Sequence, residues 1–182
     1  FDIITSSFLL LLFCLPMLLI FGAIKLTSKG NGIYWSNRVG RNKLIFEMPK
    51  FRTMNTEAPE VSTQVLKNAE SYYTPLGKVL RKSSLDELPQ LYSILKGDMT
   101  LIGPRPALYN QDELIKLRND NKIYSLKPGL TGWAQVNGRD KLSIKEKVSF
   151  DIEYLQRKSF KFDCYIIWLT FLKVIKEDGI SH

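Results

Sequence analysis

The chain has 182 residues, enough for one ordinary domain and too few for a second full one. At 45% hydrophobic and 24% charged it is not a disordered or collagen-like chain, and 26 Lys and Arg against 18 Asp and Glu leave a formal +8 that suits nucleic acid, an anionic membrane or a phosphorylated substrate. Two cysteines (Cys14 and Cys164) outside any C-x-x-C, and one histidine (His182), argue against a disulfide scaffold, a His/Cys zinc site and a Ser-His-Asp triad.

Residues 3–24 carry no charged side chain. As a helix rising ~1.5 Å per residue they extend roughly 33 Å, enough for a bilayer core of ~30 Å. Asp2 precedes the run; Lys25, Lys29, Arg38, Arg41, Lys43, Lys50 and Arg52 follow it. That bias puts everything after Lys25 in the cytoplasm. With no basic segment before the run and no small-x-small site after it, a cleaved signal peptide fits poorly. Pro16 removes one backbone donor near the middle and clashes with the preceding turn. Two shapes are open: a kinked spanning helix, which the run itself favours, or a helix–break–helix that enters and leaves by one face.

The remainder predicts an α+β domain, mostly helical, with short strands. Gly30-Asn31-Gly32 is a turn, Ile33-Tyr34-Trp35 a short strand, and 44–51 a second strand that Pro49 confines to an edge. Residues 53–71 are polar and form a connection or a solvent-facing helix. Helices are predicted over 75–82 and 85–95, the second stopped by Gly97. Thr100-Leu101-Ile102 is extended and runs into a rigid turn, and 112–118 is a short helix. Residues 127–133, with one Pro and two Gly, form a loop. Residues 143–157 form a helix with Ile144, Val148, Ile152 and Leu155 in register. Residues 164–175 are apolar nearly all round yet too short to span, so they make a core helix or an interfacial amphipathic one.

Without a useful histidine, chemistry must run on carboxylates, amines, guanidinium groups, hydroxyls or a hard metal. In Arg81-Lys82-Ser83-Ser84-Leu85-Asp86-Glu87-Leu88-Pro89-Gln90 two carboxylates follow two cations at a helix start. Ser84-x-x-Glu87 has the spacing of a capping box, a purely structural reading. Pro89 complicates it, because the helix must either kink there or begin there. The functional reading uses the same field: helix amides and cations lower a carboxylate's pKa and hold it ionised. An ionised Asp86 can bind Mg²⁺ or attack phosphorus. In Gly103-Pro104-Arg105-Pro106 a proline on each side fixes the backbone about one arginine. That suits a planar fork meeting a phosphate; a rigid turn with a solvated Arg uses the same residues. Lys50-Phe51-Arg52 and Asn137-Gly138-Arg139-Asp140 set further cations beside turns. No Walker loop, G-x-G-x-x-G or nucleic-acid signature accompanies them.

Five segments follow the apolar run in order: Lys50-Phe51-Arg52-Thr53-Met54, Leu85-Asp86-Glu87-Leu88-Pro89-Gln90-Leu91, Leu95-Lys96-Gly97-Asp98-Met99, Gly103-Pro104-Arg105-Pro106, and Lys127-Pro128-Gly129-Leu130-Thr131-Gly132-Trp133-Ala134-Gln135-Val136-Asn137-Gly138-Arg139. Together they resemble the bacterial sugar transferase family, the monotopic polyprenyl-phosphate phosphoglycosyl transferases, in its minimal single-domain form. The resemblance covers essentially the whole chain. It implies transfer of a sugar 1-phosphate from a UDP-sugar, an N-acetylated hexosamine by preference, to undecaprenyl phosphate with release of UMP. Such a reaction opens capsule, O-antigen or other glycoconjugate synthesis.

By the same match Asp86 is the implied nucleophile, giving an aspartyl–phosphosugar, and Glu87 assists with Mg²⁺ and protons. Arg105, between Pro104 and Pro106, is implied near nucleotide or phosphate, and Lys50, Arg81, Arg139 and Asp151 as pocket members. The resemblance also turns the membrane reading toward residues 1–25 as a re-entrant helix broken at Pro16, within Cys14-Leu15-Pro16. Residues 26–182 become the catalytic domain on the cytoplasmic face of the bacterial inner membrane. UDP-sugar, undecaprenyl phosphate and the bilayer are the implied partners; nucleic acid drops out, and a homodimer is left open. Two other classes compete. One is a membrane-anchored, non-catalytic adaptor that binds anionic lipid or a partner enzyme; the other is an Asp-based phosphohydrolase.

Overall fold

The computed structural model describes residues 1–61, 69–138 and 141–176. The uncharged run, rich in Leu, forms helix α1, Asp2–Thr27. It is the one helix among the described residues long and apolar enough to cross a membrane. The break expected at Pro16 does not occur: Pro16 lies inside a single 26-residue helix. Losing one N–H donor removes one rung of the ladder, and packing on both sides of Pro16 offsets that loss. Leu9 and Leu10 pack against the cluster holding Leu91, Ile94 and Met99, while Met17 and Ile20 pack with Ile24, Phe51 and Leu80.

Strands β1 (Ile33–Val39) and β2 (Ile45–Phe51) pair antiparallel with Trp35 opposite Pro49, and β4 (Ala107–Leu108) joins the other side of β1. The order β2-β1-β4 leaves Pro49 on an edge strand, as its missing donor requires. Helix α2 (Gly77–Lys82) is followed by a 3-10 turn, Leu85–Glu87, and by α3 (Gln90–Lys96). The helix predicted over 85–95 is therefore split, with Pro89 as the N-cap of its second part. Gly97 ends α3 in the left-handed region (φ 91°), the conformation for which glycine has no Cβ penalty.

Strand β3 (Thr100–Ile102) pairs in parallel with β5 (Gly129–Thr131), where a loop was expected. The punctuation by Pro128, Gly129 and Gly132 serves close approach rather than turning. A Cβ on Gly129 would lie 2.1 Å from the Gly103 amide nitrogen and 2.4 Å from the Thr131 carbonyl oxygen. Both obstacles are backbone, so the strand pair itself must part to admit it. Gly129→Ala is expected to destabilise the protein by about 3 kcal/mol, the upper end for overpacking. A thermal melt checks this, and an unchanged midpoint would refute the tight approach.

Helices α4 (Asp112–Asp120), α5 (Trp133–Val136), α6 (Ile144–Arg157) and α7 (Phe160–Lys176) complete the fold. A true capping box opens α6: Ser143 Oγ accepts from the Glu146 amide, and Glu146 accepts from the Ser143 amide. The main core draws Phe46 and Met48 from β2, Leu91 and Ile94 from α3, Tyr154 from α6, and Phe162 and Ile166 from α7. Helix α1 lies along this body from end to end. Asp2 Oδ2 accepts from Thr100 Oγ1 at 2.5 Å, Phe1 meets Phe160 edge-on, and Ile24 is fully buried. On the outer side of α1, Ile4, Phe8, Leu11, Leu15 and Leu19 are exposed, as are Trp168 and Phe171 of α7.

Candidate active site

The site is organised by the 3-10 turn Leu85–Glu87. Ser84 enters it at φ 57°, in the left-handed region, and makes no side-chain cap bond. The capping box expected at Ser84-x-x-Glu87 is therefore absent, because the Glu87 carboxylate is engaged elsewhere. Lys50 Nζ, near the end of β2, donates to Glu87 Oε1 at 3.2 Å, and Arg105 Nη2 donates to the same oxygen at 2.6 Å. Asp86 and Glu87 are both buried.

The two neighbouring carboxylates reach different cavities. Asp86 lies on a polar cavity of about 150 Å³ whose wall includes Arg38, Lys50, Arg52 and Arg81. Glu87 lies on a largely apolar cavity of about 460 Å³, with Arg105, Leu9 and Phe13 of α1, and Ile167 and Phe171 of α7. Lys50 belongs to the first cavity yet bonds the carboxylate of the second. The pair thus forms a partition between a cationic chamber and a greasy one.

Burial and charge set the titration of these groups. Burial raises the Asp86 carboxyl above the ordinary carboxylate range, outweighing attraction from Lys50, and the charge of Glu87 raises it further. That reverses the expectation that helix amides and cations hold Asp86 low. Burial lowers Lys50 to about 8, against the attraction of Glu87. Arg38 is lowered to about 10 by burial and by the nearby Arg105 charge, so it stays cationic at neutral pH.

Of the residues singled out in the sequence, Lys50, Arg81, Asp86, Glu87 and Arg105 come together here. Pro104 and Pro106 shape the backbone of Arg105. The Pro104 carbonyl accepts from the Gly129 amide at 2.9 Å and the Pro106 carbonyl from Arg38 Nη1 at 3.2 Å. Asp151 is on neither cavity wall: it is buried behind the turn, in an ion pair with Arg118 at 2.7 Å. Arg139 lies outside the described residues. Two participants escaped the sequence reading. Arg38 had counted only as cytoplasmic charge, although Tyr34, Ser36 and Arg38, at strand spacing, all line the polar cavity. Arg118, in a short polar helix, carried no local signal.

A hard cation can be tested against this donor set. Among the described residues no three acidic, His or Cys side chains gather. Of the two carboxylates expected to hold the cation, Asp86 faces the polar cavity suited to phosphates, whereas Glu87 lies on the apolar one with its carboxylate taken by Lys50 and Arg105. That fits the magnesium mode, in which one or two carboxylates share the ion with substrate phosphates, and not an all-protein calcium cage.

Comparison with known proteins is consistent along the whole chain. The sequence model of the family described as bacterial sugar transferase matches residues 1–177. The exopolysaccharide production protein ExoY of Rhizobium meliloti (strain 1021) is 37% identical over 196 residues, covering 98% of this chain and 85% of that protein. The sugar transferase EpsL of Bacillus subtilis (strain 168) is 36% identical, covering 100% and 89%. The UDP-glucose:undecaprenyl-phosphate glucose-1-phosphate transferase of Escherichia coli (strain K12) is 38% identical over 94% of this chain, which spans 39% of that longer protein. With the paired carboxylates, the Pro-Arg-Pro turn and the apolar helix folded onto one body, the chain belongs to the bacterial sugar transferase family and is a transferase.

Proposed function

We propose that the protein transfers a sugar 1-phosphate from a UDP-sugar to undecaprenyl phosphate, through an aspartyl–phosphosugar on Asp86. The observation that carries this reading is the carboxylate pair standing between a cationic polar cavity and an apolar one. A nucleoside diphosphate-sugar suits the first and a polyprenyl phosphate the second. The names of relatives in Escherichia coli and Salmonella typhimurium, which specify undecaprenyl phosphate with glucose and galactose, agree.

In the first half-reaction an Asp86 carboxylate oxygen attacks the sugar-bearing phosphorus, the bond to the bridging oxygen breaks, and UMP leaves with the electron pair. Lys50, Arg38 and Arg81 stabilise charge on the diphosphate and on the departing UMP. In the second, a phosphate oxygen of undecaprenyl phosphate attacks the same phosphorus and Asp86 departs as carboxylate, leaving the diphosphate-linked sugar. Arg105, on the apolar cavity, orients the acceptor's phosphate, and Glu87 holds Arg105 and Lys50 in register. Asp86, on the polar cavity, would hold Mg²⁺, which would supply positive charge to neutralise the diphosphate.

The membrane arrangement follows from α1. Contacts at Phe1 and Asp2 and at Ile24 bind both ends of an unbroken helix ~39 Å long to one body, which supports a helix lying in the cytoplasmic leaflet of the inner membrane rather than crossing it or re-entering. The outward apolar faces of α1 and α7 would then meet lipid.

The test is UMP release across a panel of UDP-sugars with undecaprenyl phosphate and Mg²⁺. The panel begins with UDP-glucose and UDP-galactose, after the named relatives, and UDP-N-acetylhexosamines, expected from sequence. No UMP from any donor would favour the adaptor. Sugar phosphate released to water without lipid would favour the phosphohydrolase.

The titrations predict a bell-shaped kcat/KM for the UDP-sugar, which reports the free enzyme. The acid limb reflects Asp86, above the ordinary carboxylate range, because only its ionised form attacks. The alkaline limb lies near pH 8, where Lys50 loses its charge. Lys50→Arg, which keeps its charge, is expected to move the alkaline limb up and leave the acid limb in place. A limb that stays near pH 8 in that variant would assign it to another group.

A further inference from the structure

We propose that Arg118 and Asp151 are positioning residues that aim Arg105 at Glu87 by holding its backbone; the catalytic part of this rests on the transfer reaction above. Prolines at 104 and 106 leave the turn only one N–H, so carbonyls are its main means of anchorage. All three are taken. Gly129 holds the Pro104 carbonyl, Arg38 holds the Pro106 carbonyl, and Arg118 Nη1 donates to the Arg105 carbonyl at 2.7 Å. The last is the shortest and comes from a side chain 3% exposed.

Arg118 in turn is fixed by Asp151, which is 2% exposed. Nε and Nη2 reach the same Asp151 oxygen at 2.8 and 2.7 Å. Those two bonds set the plane of the guanidinium, and the remaining Nη1 points at the Arg105 carbonyl. The two residues come from α4 and α6, so the turn is braced against helices other than the 3-10 turn that carries the two carboxylates. A buried pair serving stability alone can be exchanged for apolar side chains with little loss. This pair has a third bond that apolar residues cannot replace. When the carbonyl is released the turn shifts, and the guanidinium at its centre leaves the 2.6 Å contact with Glu87.

The test is the double replacement Arg118→Met with Asp151→Leu in the full chain, in detergent or native vesicles. It is expected to melt cooperatively while kcat for UMP release falls roughly 10²-fold, the scale of a 1 Å misplacement. KM for the UDP-sugar should hold, because Arg105 lines the apolar cavity and not the polar one. Placed on Arg105→Ala, the double replacement should cost nothing more, since the residue it positions is gone. Should the double variant fail to fold, Arg118→Lys retains a charge for Asp151 without the fork that also reaches Arg105, and the same loss is expected.

Phenylglyoxal labelling of Arg105, read by peptide mass, gives a measure independent of turnover: the variants should label faster than the parent. Unchanged labelling with parental kcat, or losses that multiply with Arg105→Ala, would overturn the proposal. A parent chain that releases no UMP overturns the reaction instead, and the labelling rates still decide the positioning.

Discussion

Asp86→Asn is expected to lower UMP release by roughly 10³-fold or more, the scale of losing a nucleophile. The carboxamide keeps the shape of the side chain but cannot attack phosphorus. With radiolabelled UDP-sugar and no acceptor, the parent should retain label on the Asp86 peptide after quenching, and the variant should retain none. Stability should move the other way. Burial raises the Asp86 pKa, so above that pKa the folded state carries a carboxylate it holds less well than water does. A neutral amide removes that penalty, and the variant should melt higher than the parent at pH 7.5. An active, unlabelled variant would reject the covalent route. Loss of activity together with a lower melting point would recast Asp86 as structural.

Glu87→Gln is expected to cost both activity and stability, because one carboxylate neutralises two cations. Lys50 and Arg105 meet at the same Glu87 oxygen, and without that charge they repel across the partition. Breaking a fully buried pair costs about 3–5 kcal/mol; Arg105 is 31% exposed, so about 2 kcal/mol is expected here. Turnover should fall roughly 10²-fold. The pH profile supplies the sharper sign. Glu87 raises the pKa of Lys50 and also that of Asp86, so its loss lowers both. Both limbs of the bell should shift toward acid. A shift of one limb alone would mean that Glu87 acts on one of the two groups only.

The parts of the fold that were legible in the sequence are those where one residue type has one use. The uncharged run became α1, Gly97 ended α3, and Pro49 took an edge strand. Strand β5 was not legible, because Gly129, and Gly132 just after it, answer to the Gly103 backbone across the pair, a contact with no local trace. The site divided in the same way. Asp86, Glu87 and Arg105 sit in a motif dense enough to be found, and Lys50 and Arg81 beside recognisable neighbours. Arg118 acts through a carbonyl thirteen residues away and a carboxylate thirty-three residues on, so only the fold brings its role into view. Ser84-x-x-Glu87 misled because spacing states where a glutamate could reach; two cations 37 and 18 residues away in sequence decided where it does.

Helix α1 has a bearing on how the protein is made. Leu9 and Leu10 finish one hydrophobic cluster, and Ile24 is the centre of another with Phe51 and Leu80. Its inner side is therefore part of the catalytic body, while its outer side is apolar and exposed. The core cannot close without α1, so the placing of this apolar helix and the folding of the body are coupled.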